Sequence, residues 1–160
     1  IEEKLTVFSS QAQSKMVNLT LDYDSTIQPF SFDIHRIGQV LNNLISNSMK
    51  FTPSGGTIKV TAKNEPDNVV ISVSDTGSGI PKEQQHLLFS RFSQAASNNA
   101  HKGSGLGLFF IKGVVEAHGG TINLDSEEGQ GTTITFTLPV IAQVHDQQTS
   151  GRLPVERLVN

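Results

Sequence analysis

Two glycine-rich turns carry the residues of this chain that are best suited to chemistry. The first, DTGSGIP at residues 75–81, opens with a carboxylate, and the second, GSGLGL, occupies residues 103–108. Glycine permits positive φ and close approach of a ligand, and free N–H groups in such turns can cradle a phosphate. The carboxylate would repel a phosphate but can accept hydrogen bonds from a base. Together the turns predict a nucleotide held at both ends.

Asp75 is the candidate acceptor for the amino group of adenine, since a hydrogen bond to a charged acceptor contributes about 1.5–3 kcal/mol. The alternative is a turn aspartate that bonds its own backbone, which is common before glycine. Thr132 precedes Ile134, Phe136 and Leu138 on one strand face. It is therefore predicted to point inward and to place a hydroxyl or a water near Asp75; the alternative is an ordinary threonine at a strand edge.

Two amides and an ammonium are predicted to share one face of a helix. Asn43, Asn47 and Lys50 follow one another at spacings of four and three, which places them on the same side. Amide oxygens can reach Mg²⁺ or its waters, and a lysine can neutralise phosphate charge. The alternative is a solvated helix face. Phe51 could wall the adenine or belong to the core.

The segment LFSRF at residues 88–92 precedes a stretch of small polar residues, 93–105, that is predicted to be a mobile loop. Arg91 could reach a terminal phosphate, although a solvated arginine fits the pattern equally well. GSGLGL differs from the dinucleotide-binding Gly-x-Gly-x-x-Gly pattern, and it lies between a polar loop and a helix. Leu106 and Leu108 would pack that helix while the backbone N–H groups face outward.

The elements that must position these residues follow from apolar periodicity. Helices are predicted over residues 1–17, 33–51, 82–89 and 106–118, and strands over 18–24, 57–63, 69–75, 121–127 and 132–140. The apolar stripe of the first helix is Ile1, Leu5, Phe8, Ala12 and Met16. The buried stripe of the second is Ile34, Ile37, Leu41, Leu44, Ile45 and Ser48. Helices against a largely antiparallel sheet make an α+β sandwich.

Composition limits the remaining possibilities. The chain has 160 residues, 36% hydrophobic residues and a net charge of −3, which predicts one globular domain with no electrostatic basis for nucleic-acid binding. The absence of cysteine excludes disulfides and cysteine-based zinc sites. No apolar run in the sequence is long enough to span a bilayer. Residues 141–160 show no period and are interpreted as a linker or tail.

Four blocks in this order resemble the ATP-binding catalytic domain of sensor histidine kinases, within the wider family of type II topoisomerase, Hsp90 and MutL ATPases. RIGQVLNNLISNSMKFTPSGG resembles the N box, DTGSGIP the G1 box, LFSRF the F box and GSGLGL the G2 box. The match covers about residues 1–140. Each block is weak alone, but the ordered set is specific.

The resemblance implies a Bergerat-type two-layer sandwich: a mixed, mostly antiparallel sheet against about three main helices, with a mobile lid that closes over ATP. It implies that Asn43 and Asn47 hold Mg²⁺. Together with the residue patterns above, it predicts that Asn47, Lys50 and Arg91 serve catalysis. The nucleotide-binding set predicted on both grounds is Asn43, Asn47, Lys50, Phe51, Asp75, Gly77, Gly79, Gly103, Ser104, Gly105, Leu106, Gly107, Leu108 and Thr132.

The chain departs from the family pattern at two points. Ser48 stands where the family usually has alanine. No histidine is followed by the acidic helical pattern of a phosphoacceptor segment. The resemblance therefore implies a dimerisation and phosphoacceptor domain upstream, joined through residues 1–17 to a catalytic domain at 18–140. It also implies a response regulator receiver domain as partner and a cytoplasmic location, either free or as part of a membrane-bound sensor, without direct membrane contact.

Three functions remain open from the sequence. The first is transfer of the γ-phosphoryl group of ATP to a histidine on that separate domain. The second is ATP hydrolysis, although hydrolytic relatives place a glutamate where this chain has Asn43. The third is a nucleotide-binding interaction module without catalysis.

Overall fold

One five-stranded sheet and four helices make up the part of the chain that the computed structural model describes, residues 1–89 and 107–140. In chain order the elements are α1 (Glu2–Lys15), β1 (Asn18–Tyr23), α2 (Ile34–Phe51), β2 (Thr57–Asn64), β3 (Asn68–Asp75), α3 (Lys82–Gln85), α4 (Gly107–Ala117), β4 (Ile122–Glu127) and β5 (Gly131–Pro139).

The sheet is mixed, with the strand order β1-β2-β3-β5-β4. β1 pairs parallel with β2, and the three other pairings are antiparallel. A parallel pair needs a crossover connection, and α2 supplies it between β1 and β2. The mixed, mostly antiparallel sheet against helices confirms the predicted α+β sandwich.

The two faces of the sheet differ in composition. On β3, the side chains of Val69, Ile71 and Val73 alternate with half-buried ones and lie in the core. The core also takes apolar side chains from α2, α4, β2 and β5. On the opposite face, Ser72 and Ser74 pair with threonine hydroxyls of β5 at 2.9 and 2.8 Å. One face is therefore covered by helices and the other is polar.

Helix α2 is closed at both ends by side chains. The Asp33 carboxylate accepts from the backbone N–H groups of His35 and Arg36, each at 2.9 Å. The Arg36 N–H is the largest cause of the lowered pKa of Asp33. At the other end, the carbonyl of Ser48 accepts from the N–H and the hydroxyl of the fully buried Thr52, at 2.9 and 2.7 Å. The helix that carries most candidate residues is thus firmly bounded.

The buried stripe predicted for α2 is confirmed except at its first residue. Ile37, Leu41, Leu44, Ile45 and Ser48 are all buried, as expected. Ile34 is 67% exposed, so its assignment to the core was wrong. It occupies the first helical position, at the far end of the stripe.

Helix α1 packs on the domain through the middle of its stripe. Ala12 is buried, and Leu5 and Phe8 pack against the core. Ile1 and Met16 are 37% and 69% exposed, so their assignment to this stripe was wrong. Ile1 precedes the helix, and Met16 ends it in the left-handed conformation with φ of 57°. The ends of the stripe therefore lie outside the helix.

Lys15 ties α1 to the end of α2. Its ammonium group donates to the carbonyl of Met49 and, at 3.3 Å, to that of Lys50. A cation at this position complements the negative end of the helix dipole.

One of the two shorter helices differs from its predicted bounds: α3 ends at Gln85, four residues before the predicted end at residue 89. α4 spans Gly107–Ala117 in the described part of the chain, which agrees with its predicted end near residue 118, and Gly119 follows it with φ of +74°. Within residues 1–89 and 107–140, no helix combines the length and apolar character that a membrane crossing requires.

Candidate nucleotide-binding site

A row of polar side chains crosses one end of the sheet. Asp75 of β3 is directly opposite Thr132 of β5, which in turn is opposite Ser126 of β4. Direct cross-strand partners point to the same face, and here that face carries Ile134 on β5 and Leu124 on β4. The core face of the sheet therefore changes from apolar to polar at this end, and Thr132 points inward as predicted.

The carboxylate of Asp75 is held from two directions. Its Oδ2 accepts from the Ser48 hydroxyl of α2 at 2.8 Å, and its Oδ1 accepts from the Gly77 N–H at 2.9 Å. Asp75 is 9% exposed. The turn-forming interpretation of Asp75 is thus confirmed. Since each carboxylate oxygen has two acceptor positions, one on each remains for a further donor.

The first glycine turn tolerates no side chain at two of its positions. A Cβ at Gly77 would lie 2.7 Å from Asp75 Oδ1 and 2.8 Å from the carbonyl oxygen of Phe51. Gly79 has φ of +63°, and a Cβ there would lie 1.8 Å from the Glu127 carbonyl oxygen. Both glycines are therefore required by local packing, and their predicted contact with a nucleotide stays a prediction.

Two residues that sequence reasoning missed fasten this turn to the sheet. The Ser126 hydroxyl accepts from the Ile80 N–H at 3.0 Å. The side-chain amide of Gln85 donates to the carbonyls of Ile80 and Ser126, at 2.7 and 2.8 Å. The alternation of β4 could have placed Ser126 on the inner face, but no sequence signal pairs it with a turn about 46 residues earlier.

Ser126 also orients Thr132. Its hydroxyl donates to the Gly131 carbonyl at 2.9 Å, so its bond to the Thr132 hydroxyl, also 2.9 Å, takes its proton from Thr132. The oxygen of Thr132 then has only acceptor capacity left. Its contact with a base or a water stays a prediction.

The amide-bearing face of α2 is half-buried. The Asn43 amide N–H₂ donates to the Gln39 carbonyl at 3.0 Å, and its Oδ1 is directed toward Gly107, where a Cβ would lie 3.4 Å away. Among residues 1–89 and 107–140, no hydrogen-bond partner is found for the Asn47 side chain. An open depression of about 310 Å³, lined in part by Val7 and Phe8, borders Asn43 on the side of α1.

Lys50 and Phe51 lie at the C-terminal end of α2, beyond the two amides. The Lys50 ammonium nitrogen lies 5.0 Å from the centroid of the Phe51 ring. Phe51 is 48% exposed, so it is not part of the core. Its carbonyl oxygen is close to Gly77. The residue therefore lies beside the first turn, and its proximity to adenine stays a prediction.

Helix α2 contacts both the first glycine turn and the start of α4. The Ser48–Asp75 hydrogen bond joins it to the first turn, and the approach of Asn43 to Gly107 joins it to the start of α4. Leu108, the next residue of α4, packs against the core. Five predicted site residues, Arg91, Gly103, Ser104, Gly105 and Leu106, and the lid to which they were assigned lie outside the described residues.

The donor set around Asn43 and Asn47 fits a magnesium ion shared with phosphate. In the described part of the chain, no group of three or more His, Cys, Asp or Glu side chains could hold a metal. Mg²⁺ commonly takes few protein oxygens and completes its shell with waters and phosphates. Because the N–H₂ group of Asn43 donates to Gln39, its carbonyl oxygen is left as an acceptor, and this oxygen faces the start of α4 at Gly107.

Comparisons with known proteins show the family and the fold of this chain. The histidine kinase-, DNA gyrase B-, and HSP90-like ATPase family matches residues 32–142. The adaptive-response sensory kinase SasA of Synechococcus elongatus is 38% identical over 141 residues, which cover 88% of this chain and 36% of SasA. The chain thus spans about a third of that relative's length.

Two solved structures share the fold. The nucleotide-free catalytic domain of histidine kinase ThkA has a TM-score of 0.76 and 29% identity, covering 87% of this chain and 90% of that one. Full-length ShkA in complex with AMPPNP has a TM-score of 0.77 and 29% identity, covering 86% of this chain and 28% of that one. With a family match over most of its length, the chain belongs to the histidine kinase-, DNA gyrase B-, and HSP90-like ATPases, as an ATP-binding catalytic domain of the sensor histidine kinase type.

Proposed function

We propose that this domain binds one Mg²⁺–ATP between α2, the first glycine turn and the start of α4, and donates the γ-phosphoryl group to a histidine on a separate domain. The observation that carries the proposal is the position of α2. Through Ser48 it contacts Asp75, and through Asn43 it approaches Gly107. One helix therefore spans the two ends of the site.

Adenine would bind at the polar end of the sheet. Asp75 keeps acceptor positions for the 6-amino group after its bonds to Ser48 and Gly77. Thr132 lies beside it on the same face with acceptor capacity left. Phe51, half-exposed next to the first turn, would cover an edge or a face of the base.

The triphosphate would lie along the amide-bearing face of α2. Asn43 and Asn47 would hold the metal by their side-chain oxygens, and Lys50 would neutralise phosphate charge. When bound, Mg²⁺ supplies charge neutralisation to the phosphoryl group in transfer. Phosphoryl transfer mainly requires positioning and charge stabilisation. The residues of this chain can supply both without a nucleophile of their own.

The composition of α2 favours transfer over hydrolysis. Hydrolysis needs a base that activates water. Helix α2 contains no Asp or Glu, and at the position where hydrolytic relatives place a glutamate, Asn43 donates its N–H₂ group to Gln39. An amide cannot accept a proton from water at neutral pH. Slow hydrolysis is therefore expected.

The partners follow from the same proposal. The nucleophilic histidine belongs to a dimerisation and phosphoacceptor domain, and α1 would connect that domain to this one. A response regulator receiver domain would then accept the phosphoryl group. We place this reaction in the cytoplasm, where ATP is available.

The test combines binding with transfer. ATP is titrated into the chain by calorimetry with and without Mg²⁺, and γ-labelled ATP is then supplied together with a separate histidine-bearing dimerisation domain. The expected result is one nucleotide per chain, tighter binding with Mg²⁺, and label on the added domain. Rapid release of labelled phosphate would favour an ATPase, and binding without label transfer would favour a non-catalytic module. An absence of ATP binding would contradict the proposal.

A further inference from the structure

Ser48 makes a hydrogen bond that its own helix does not require. Its hydroxyl crosses from α2 to Asp75 of β3, 27 residues away, at 2.8 Å. Serine inside a helix commonly bonds a carbonyl one turn earlier, and alanine is the better helix former. Ser48 is 6% exposed, so this bond forms away from solvent. The hydroxyl is therefore directed to the carboxylate at a buried position.

The backbone on both sides of this bond is fixed. The Ser48 carbonyl accepts two hydrogen bonds from Thr52, which is fully buried. A Cβ at Gly131 would lie 1.9 Å from the Asp75 carbonyl oxygen, so β5 lies directly against the backbone of Asp75. With both backbones fixed, the Ser48 hydroxyl and the Gly77 N–H together determine the orientation of the carboxylate.

We propose that Ser48 is a positioning residue that selects adenine, by holding the Asp75 carboxylate with its free acceptor positions directed at the 6-amino group. This inference rests on the proposed function, in which Asp75 binds that group. The Ser48 proton and the Gly77 N–H are both committed to Asp75. Asp75 and Ser48 therefore present only acceptors to the base. Acceptors suit an amino group and disfavour a base edge that has no donors.

The experiment compares two nucleotides on three proteins. Calorimetry measures the Kd of ATP and of purine riboside 5′-triphosphate, which lacks the 6-amino group, for the wild-type chain, Ser48→Ala and Ser46→Ala. Ser46 is an exposed serine on the same helix, so Ser46→Ala is a matched control. Thermal unfolding of each variant verifies that the fold is retained.

Ser48→Ala is expected to weaken ATP binding about tenfold while changing the Kd of the amino-free nucleotide less than about twofold. Ser46→Ala is expected to change neither. In the Asp75→Asn background, Ser48→Ala should add no further loss of ATP affinity, because Ser48 acts through the carboxylate.

Equal losses for both nucleotides, or an unchanged ATP affinity, would overturn the role of Ser48 and leave the proposed function intact. Failure of the wild-type chain to bind either nucleotide would instead contradict the proposed function, and this inference with it.

Discussion

The two ends of the candidate site are built in different ways. At the base end, Asp75, Ser126 and Thr132 lie in register across three strands. Each of these three side chains has a hydrogen-bond partner within the protein. At the phosphate end, Asn43 and Asn47 are half-buried on one helix face, and within residues 1–89 and 107–140 their side chains make a single hydrogen bond, from Asn43 to Gln39.

At Asp75 the difference follows from burial, because a buried polar group must find its partner within the protein, whereas a half-buried amide can exchange water for a ligand at small cost. Ser126 and Thr132 are half-buried like the amides, but the register of β4 and β5 brings their hydroxyls together. The base end is therefore preformed by one buried carboxylate and by strand register. The phosphate end is completed by its ligand, and the two ends should respond differently to mutation.

The largest expected effect is on the scaffold of the base end. In Gly131→Ala, the new Cβ would lie 1.9 Å from the Asp75 carbonyl oxygen, at a φ of +107°. We expect the free energy of unfolding to fall by about 3 kcal/mol or more, as measured by urea denaturation. Gly129→Ala is the control, because its φ is also positive at +81° but no atom lies within 4 Å of the new Cβ. Gly129→Ala should lower the free energy of unfolding by about 1 kcal/mol. Equal losses in the two variants would contradict the close packing of β5 against Asp75.

The next effect is on base recognition itself. Asp75→Asn removes the charged acceptor and should raise the Kd of ATP about 10- to 100-fold, which corresponds to about 1.5–3 kcal/mol. Calorimetry with and without Mg²⁺ should give the same loss, because Asp75 is at the base end and is not one of the proposed metal ligands. An unchanged Kd would remove Asp75 from the site.

A smaller and metal-dependent effect is expected at the phosphate end. Asn47→Ala should weaken ATP binding roughly tenfold in Mg²⁺, a loss of about 1.4 kcal/mol, and far less in EDTA. Asn42→Ala removes an amide from a neighbouring position of α2. It should leave the Kd of ATP unchanged both in Mg²⁺ and in EDTA. A loss at Asn47 that is independent of Mg²⁺ would argue against its role as a metal ligand.

The smallest effect concerns the stability of α2, which serves both ends. The Arg36 N–H, followed by the His35 N–H, keeps the pKa of Asp33 below its ordinary value. A lowered folded-state pKa stabilises the protein above the unfolded pKa, and this stabilisation is lost as the pH falls below about 4.

Asp33→Asn separates this charge effect from capping, because asparagine also caps helices well. The wild type should exceed the variant in Tm by a few degrees at pH 7, and the difference should disappear in acid. A difference in Tm that does not shrink as the pH falls below about 4 would show that the charge of Asp33 is not its source. The ratio of ATP affinities with and without Mg²⁺ should be the same for both proteins.

The local parts of this architecture could be predicted from the sequence. The 3.6-residue period of α2 identified Ile37, Leu41, Leu44 and Ile45 as buried, since the stripe of a helix depends only on spacing. The hydrogen bond that Asp75 accepts from the Gly77 N–H could be predicted because a carboxylate next to a glycine turn is itself a short-range pattern. The predicted strands β2 and β3 agree closely with the observed ones for the same reason.

The long-range parts could not be predicted. The bond from Ser48 to Asp75 depends on the rotation of α2 over the sheet, and the role of Ser126 depends on the order of β4 and β5. Met16 was misassigned because periodicity does not reveal where a helix ends, and Ile34 because periodicity does not reveal how far along a helix the core extends. Met16 occupies the left-handed position that terminates α1.

The central claim is that the two ends bind one nucleotide, and an NMR titration of the ¹⁵N-labelled chain with Mg²⁺–ATP tests it most directly. The backbone amides of Gly77 and Gly107 and the side-chain amide of Asn47 report on the base end, the start of α4 and the phosphate end. We predict that all three shift with one common Kd and saturate at one nucleotide per chain. Shifts confined to one end, or different dissociation constants at the two ends, would contradict the account.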